Sequence, residues 1–250
     1  MAGHSKFKNI MHRKGAQDKK RAKEFSRLGR EISVTVKIGG SDINNNIRLK
    51  SAINAAKSLN MPKDNILRAI QKGEGNDPES NYEEVRYEGY GPSGVAIIVD
   101  AMTNNKNRTA SEIRSSFSKY GGSLGETGSV IYNFKRLGTI TIEKKIKEKE
   151  EVLFEFAIEN NSVDFESNKN EYVISCKSND LHLLNEKIIN KFDCSTIVKL
   201  IWKSENVVNV PGDDVERLFK LLNILEENED VQNVSSNFDI NEEVINKYVA

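Results

Sequence analysis

The order of apolar patterns between residues 137 and 204 constrains the fold of this chain more than any other feature. Four segments favour strands (139–142, 162–166, 171–176 and 196–202) and two favour helices (147–159 and 181–192). Read along the chain, they give the order β-α-β-β-α-β, which is the ferredoxin-like arrangement. We therefore predict an inserted domain of this kind over residues 137–204.

Strand and helix patterns also flank this insertion. Before it, the apolar run 95–99 predicts a buried strand, Thr109 and Glu112 have the spacing of a capping box that begins a helix, and residues 129–134 favour a strand. After it, residues 207–210 and 231–238 favour strands on either side of a helix over 215–225. The flanking pieces, 81–136 and 205–250, are predicted to form a second ferredoxin-like domain that is discontinuous in sequence.

Residues 1–80 have helical periodicity instead. Apolar side chains recur at steps of three and four residues in a first helix, Ala22, Phe25, Leu28, Ile32 and Val36, and in a second, Leu49, Ala52, Ile53, Ala56 and Leu59. A third helix is predicted from Pro62 to Gly73, and residues 1–14 are predicted to be a mobile basic arm. The predicted fold class is α+β, with three domains: an N-terminal helical domain followed by two ferredoxin-like α/β domains, one inserted in the other.

The charges are distributed unevenly along the chain. Residues 1–72 contain 17 lysines and arginines against 5 acidic residues, although the formal net charge of the whole chain is +0. Such an asymmetry indicates a polyanionic partner for the basic part. The acidic C-terminal region, which includes Glu226, Glu227, Glu229 and Asp230, either repels nucleic acid, contacts a basic protein or is a solvated face.

Nucleic acid is the predicted partner of the N-terminal segment. Lysine and arginine neutralise phosphates, and an aromatic ring can stack on an unpaired base. The alternatives are a solvated helix face for the cations and a hydrophobic groove for Phe7. The predicted contact residues are His4, Lys6, Phe7, Lys8, His12, Arg13, Lys14, Lys19, Lys20, Arg21, Lys23, Arg27 and Arg30.

No pattern in the sequence predicts a catalytic, metal or cofactor site. The segment 89–94 matches G-x-G-x-x-G, but it precedes a strand, whereas a dinucleotide site needs a helix there, so we predict a turn. Cys176 and Cys194 are far apart and are expected to be reduced core residues. No apolar stretch approaches the roughly 20 residues of a membrane helix, and no secretory signal is present. We expect a cytoplasmic protein with no membrane contact, no cofactor and no small-molecule substrate.

Short motifs spread over nearly the whole chain follow one another in the order found in a known family. They occupy residues 1–6, 12–14, 16–18, 30–32, 60–66, 87–92, 107–109, 121–122, 125–126, 128–130, 230–234 and 237–238. Together they resemble YebC/PmpR-type proteins. Phe7 stands where the family usually has tryptophan, and Gly15 is an additional residue. The first motif begins at Met1, which favours a bacterial cytoplasmic protein without a presequence.

This resemblance implies a helical N-terminal domain and two α/β domains around a central cleft. It also implies a non-enzymatic regulator of gene expression: family members are designated DNA-binding transcriptional regulators, mitochondrial relatives activate translation, and bacterial ones associate with ribosomes and relieve stalling at proline runs. Duplex DNA and ribosomal RNA therefore both stay open as targets, and an unrecognised enzyme using the cleft is a remote alternative. A basic arm suits shaped RNA better than groove reading. The oligomeric state is left open.

Overall fold

The computed structural model describes residues 17–75, 81–146, 149–204 and 206–240, with side chains from residue 21 onwards. It has the predicted α+β architecture, in which a helical N-terminal region precedes the α/β sheet domains. Contacts divide the chain into two compact units, one formed by Lys135–Lys203 and the other by the sequence on both sides of it. This division is coarser than the three predicted domains, whose limits stay predictions.

Three helices form the N-terminal region: α1 (Gln17–Gly39), α2 (Ile47–Ser58) and α3 (Lys63–Glu74). Their shared core includes Ile32, Leu49 and Ile66, one from each helix. Helix α3 lies very close to α1 because Gly73 has no side chain: a Cβ there would be 2.5 Å from the Ser33 carbonyl oxygen. Ser33 Oγ also donates a 2.8 Å hydrogen bond to the Ala69 carbonyl, so both polar and apolar contacts join the two helices.

The first half of the split domain consists of β1 (Glu83–Tyr90), β2 (Ala96–Thr103), α4 (Lys106–Lys119) and β3 (Ser123–Leu124). Strands β1 and β2 are antiparallel, and the glycine-rich segment between them forms the predicted turn. The predicted capping box is wrong, because Thr109 lies inside α4. The N-cap of α4 is Asn105, and its side-chain oxygen accepts a hydrogen bond from the backbone N–H of Arg108 at 3.1 Å.

The inserted domain consists of β4 (Phe134–Glu143), α5 (Glu150–Glu159), β5 (Asp164–Ser167), β6 (Glu171–Lys177), α6 (Leu181–Phe192) and β7 (Thr196–Ser204). Its sheet has the order β5-β6-β4-β7, which confirms the ferredoxin-like prediction. Ile140 and Ile174 on the sheet and Leu153 and Ile188 on the helices are fully buried in one core. Cys176 is buried in the same core and is not part of a disulfide.

The second half of the split domain consists of β8 (Val208–Asn209), α7 (Gly212–Glu227), β9 (Val231–Ser236) and β10 (Phe238–Asp239). Strand β9 joins the first half in a four-stranded sheet of order β3-β1-β2-β9, and α4 and α7 pack against the face that carries Ile97 and Val99. The predicted strand at 207–210 does not enter this sheet. Its residues pair with β10 instead, and β1 occupies the neighbouring position to β2.

Candidate nucleic-acid interface

Three basic side chains of α1 contact residues 226–231, which run from the end of α7 to the start of β9 and which we call the acidic segment. Arg27 donates to the Val231 carbonyl at 3.1 Å and to the Glu226 carbonyl at 3.0 Å. Lys23 donates to the same Glu226 carbonyl, and Arg30 donates to the Glu229 carbonyl. These cations lie at i, i+4 and i+7 along α1, and they satisfy carbonyls at the C-terminal end of α7, where positive charge is favourable. The acidic segment therefore contacts the basic helix of the same chain.

Burial shifts the pKa of one member of this contact. Removal from water and the charge of Arg27 together lower the pKa of Lys23 to about 8, although the charge of Glu226 opposes the change. Arg27 is also within 3.3 Å of carboxylate oxygens of both Glu24 and Glu226. The contact thus joins two guanidinium groups and an ammonium group to one acidic segment.

Asp230 is the centre of a buried polar cluster beside this contact. Its Oδ2 accepts hydrogen bonds from Thr109 Oγ1 at 2.6 Å, Arg108 Nη2 at 2.7 Å and Thr103 Oγ1 at 3.1 Å. Its Oδ1 is 3.3 Å from Arg30 Nη1. Burial alone would raise the pKa of Asp230, but the hydrogen bonds from Thr109 and Arg108 and the charges of Arg30 and Arg108 lower it overall. Three sequence motifs, around residues 30, 108 and 230, therefore meet in one place.

A polar cavity of about 500 Å³ opens beside Asp230. Arg30, Tyr82 and Arg108 line it together with the acidic side chains Glu112, Glu227 and Glu229. Arg30 lies over the Tyr82 ring, with its guanidinium carbon 5.3 Å from the ring centre. Within the described part of the chain, no group of three or more histidine, cysteine, aspartate or glutamate side chains is arranged to hold a metal ion.

Arg48 makes a second bridge between the helical region and the sheet. Its Nε donates to Glu31 at 2.7 Å, and its Nη2 donates to Glu84 of β1. Burial would lower the pKa of Arg48, but the hydrogen bonds and charges of Glu31 and Glu84 raise it overall. This arginine is consequently committed to an internal network.

The outward sides of α2 and α3 carry lysines and an arginine that are exposed to solvent. Five of them are exposed and have no ion pair with any described residue, and they share these two helices with only two acidic residues, Asp64 and Glu74. We call this set the α2–α3 basic surface: Lys50, Lys57, Lys63, Arg68 and Lys72. Arg21 lies next to it, because its Nη2 is 3.4 Å from the carbonyl of Asn60 in the α2–α3 connection.

Glu88 organises a glycine-rich loop on the other part of the same unit. Its carboxylate is 2% exposed and accepts hydrogen bonds from the backbone N–H groups of Gly128, Val130 and Ile131 at 2.9–3.0 Å. The predicted strand at 129–134 is wrong for this reason: these N–H groups bond to a side chain, so residues 131–133 form a single 3-10 turn. Tyr90 donates to the Ser129 carbonyl at 2.9 Å, and its hydroxyl is 3.0 Å from that of Tyr132.

The structure places the predicted contact residues in three groups. His4, Lys6, Phe7, Lys8, His12, Arg13 and Lys14 lie outside the described residues, as do the side chains of Lys19 and Lys20. Arg21 is exposed at the surface. Lys23, Arg27 and Arg30 donate to the acidic segment of the same chain. The assignment of these residues to nucleic acid stays a prediction.

The residues of the α2–α3 basic surface are not among the contact residues predicted from the sequence. The signal was available, because the apolar stripe of each helix leaves Lys50, Lys57, Arg68 and Lys72 on the opposite side. Tyr132 is not among the predicted contact residues either. In the strand that was predicted at 129–134 it would be one of several alternating side chains, with nothing to distinguish it.

Two family models match the chain in succession. The model for the TACO1/YebC protein N-terminal domain matches residues 5–76, and the model for the TACO1/YebC second and third domain matches residues 82–238. The crystal structure of a conserved hypothetical protein, Aq1575, from Aquifex aeolicus is 41% identical in sequence and has a TM-score of 0.80. That match covers 88% of this chain and 91% of the other. Helical region, split sheet and inserted domain all fall within these matches, and the chain belongs to the TACO1/YebC family.

Proposed function

We propose that this protein is a non-enzymatic, nucleic-acid-binding regulator of gene expression, and that the α2–α3 basic surface contacts the phosphates. The observation that carries the proposal is the set of exposed cations on α2 and α3 without ion pairs among the described residues. Such cations can approach phosphates and release counterions without breaking an internal contact. By contrast, Lys23, Arg27 and Arg30 would first have to leave the carbonyls and carboxylates that they bind.

We infer that the target is structured RNA, such as ribosomal RNA, and that the protein acts on translation. RNA loops expose unpaired bases that aromatic side chains bind by stacking. Tyr132 offers such a ring, since it is 72% exposed on the loop that Glu88 holds. The cations on α2 and α3 would then supply the affinity for the backbone.

Duplex DNA, and with it transcriptional control, is the second candidate. The connection between α2 and α3 spans four residues, 59–62, and Asn60 adopts φ 56° in it. A turn of three or four residues is typical of a helix-turn-helix motif, whose second helix enters the major groove. Lys63, Arg68 and Lys72 on α3 would then lie along the groove.

The test is a titration of the full-length protein with a looped RNA and with a matched duplex DNA at several salt concentrations. Wild type is compared with the double variant Lys50→Ala/Lys57→Ala and the triple variant Lys63→Ala/Arg68→Ala/Lys72→Ala. The control is Lys169→Ala/Lys177→Ala, which removes two exposed cations of the inserted domain. We expect each contacting cation to contribute up to about one unit to the slope of log K against log salt.

The proposal predicts that both surface variants bind more weakly with a shallower slope, while the control matches wild type. Equal losses in the surface variants and the control would show non-specific attraction and would refute the assignment of the surface. Stronger binding of wild type to duplex DNA than to looped RNA would favour the second candidate. Binding that does not depend on salt for either ligand would refute the proposed function.

A further inference from the structure

Hydrogen bonds to Glu88 hold residues 125–133, which we call the Glu88 loop, in one conformation. A carboxylate is expensive to bury unless hydrogen bonds replace its water, and Glu88 obtains three of them from the backbone of residues 128–131. Its own carbonyl accepts a fourth bond, from Gly125 N at 2.8 Å. Gly128 has φ +93°, a conformation that favours glycine, and a Cβ on Gly125 would meet Ser129 Oγ at 2.5 Å. The residue types and the contacts therefore specify the same loop shape.

The hydroxyl group of Tyr132 in this loop is linked to that of Tyr90, the last residue of β1. Tyr90 uses its hydrogen to bond to the Ser129 carbonyl, so the 3.0 Å contact between the two hydroxyls has Tyr132 as donor. Tyr132 is thereby fixed at its tip although 72% of its surface is exposed to solvent. An exposed ring that is already ordered loses little conformational entropy on binding. Among the described residues, Tyr132 is not part of the apolar core of this domain.

We propose that Tyr132, positioned by Tyr90 and by the Glu88 loop, is a stacking platform for an unpaired base of RNA. The inference rests on the proposed function and adds a second contact site, separate from the cations of α2 and α3. Between residues 121 and 133 the only ionised side chain at neutral pH is Glu126, so this loop attracts a ligand through its ring and not through positive charge. Any base offers a π-face to such a ring, whereas the bases of a regular duplex are already stacked.

The experiment uses the full-length protein and an RNA hairpin that carries 2-aminopurine in its loop, with a closed duplex of the same stem sequence as the second probe. The variants are Tyr132→Ala, which removes the ring, and Tyr132→Phe, which keeps the ring and removes only the donor to Tyr90. The matched control is Phe154→Ala, which removes an exposed ring from a different domain, the inserted one. Circular dichroism and melting curves establish that each variant is folded.

We expect Tyr132→Ala to weaken binding of the hairpin roughly 5- to 150-fold, with no change in the salt slope, and to abolish the quenching of 2-aminopurine. Tyr132→Phe should retain most of the quenching, and the closed duplex should bind all variants equally. Hairpin binding with an unchanged affinity in Tyr132→Ala would overturn the platform while leaving the α2–α3 surface intact. Equal losses of affinity for the hairpin and the duplex would also overturn it. If wild type binds neither nucleic acid, the proposed function itself fails.

Discussion

Replacing Asp230 by asparagine tests the role of the buried cluster that joins α1, α4 and β9. The substitution keeps the size of the side chain but removes its charge and turns one acceptor oxygen into a donor. Hydrogen bonds to charged groups contribute about 1.5–3 kcal/mol each, and removing one partner of a buried charge pair costs about 3–5 kcal/mol. The side chain of Arg108 is 47% exposed, so its guanidinium can regain water, which favours the lower end of that range.

We therefore expect Asp230→Asn to lower the free energy of unfolding by about 3 kcal/mol at pH 7. For a unit of this size that corresponds to a decrease of about 6–12 °C in Tm. The control is Asp239→Asn, because the Asp239 carboxylate has no ion pair with the described residues. Thermal and urea unfolding, followed by circular dichroism, give both quantities.

The pH dependence of the same pair gives a second, independent check. The folded-state pKa of Asp230 lies below its ordinary value. The unfolded chain therefore binds more protons than the folded protein at pH values between the folded-state and unfolded-state pKa of Asp230. The stabilisation by Asp230 is complete above the unfolded-state pKa, about 3.9, and is lost as the pH falls through the folded-state pKa. The difference between wild type and Asp230→Asn should be constant near neutrality and narrow below about pH 4. A loss under 1 kcal/mol at pH 7, or a difference that does not narrow in acid, would refute this account of the cluster.

Two further predictions concern the close packing of α1 against α3 and the reactivity of the two cysteines. Gly73→Ala should destabilise the helical region by about 1–3 kcal/mol, because the new Cβ would lie 2.5 Å from a backbone oxygen of α1. The control Gly29→Ala should be neutral or stabilising, because its Cβ would meet nothing within 4 Å. Urea unfolding measures both variants, and equal changes in stability would contradict this prediction. Burial raises the pKa of the Cys176 thiol to about 11. At pH 8 the half-buried Cys194 of the folded protein should therefore be alkylated well before Cys176, as measured by mass spectrometry. In denaturant the two cysteines should be alkylated at the same rate.

The elements predicted correctly are those whose contacts are local or repeat with a simple period. The three N-terminal helices follow from apolar residues at helical spacing, and the inserted domain follows from the order of its six patterns. The segment 129–134 could not be predicted in this way. Its apolar residues suit a strand, but their N–H groups bond to Glu88, which lies about 40 residues earlier in the chain. No local pattern contains that information.

The same limit applies to the candidate interface. Charge counting identified the basic end of the chain correctly, but it could not show that the cations of α1 face an acidic segment about 200 residues away. It also could not separate engaged cations such as Arg48 from exposed ones such as Lys50, because both have the same charge in the sequence. That distinction depends on tertiary contacts.

The contact between α1 and the segment 226–231 also has a consequence for synthesis of the protein. The basic helix is complete once residue 39 has been made, but its acidic partner is added almost 190 residues later. At about 5–20 residues per second this interval lasts roughly 10–40 s. Throughout it, Lys23, Arg27 and Arg30 lack the carboxylates and carbonyls of residues 226–231 that they bind in the complete fold. The C-terminal segment supplies these partners only when synthesis is nearly finished, so the same three charges are unpartnered by it for most of the time that the chain is being made.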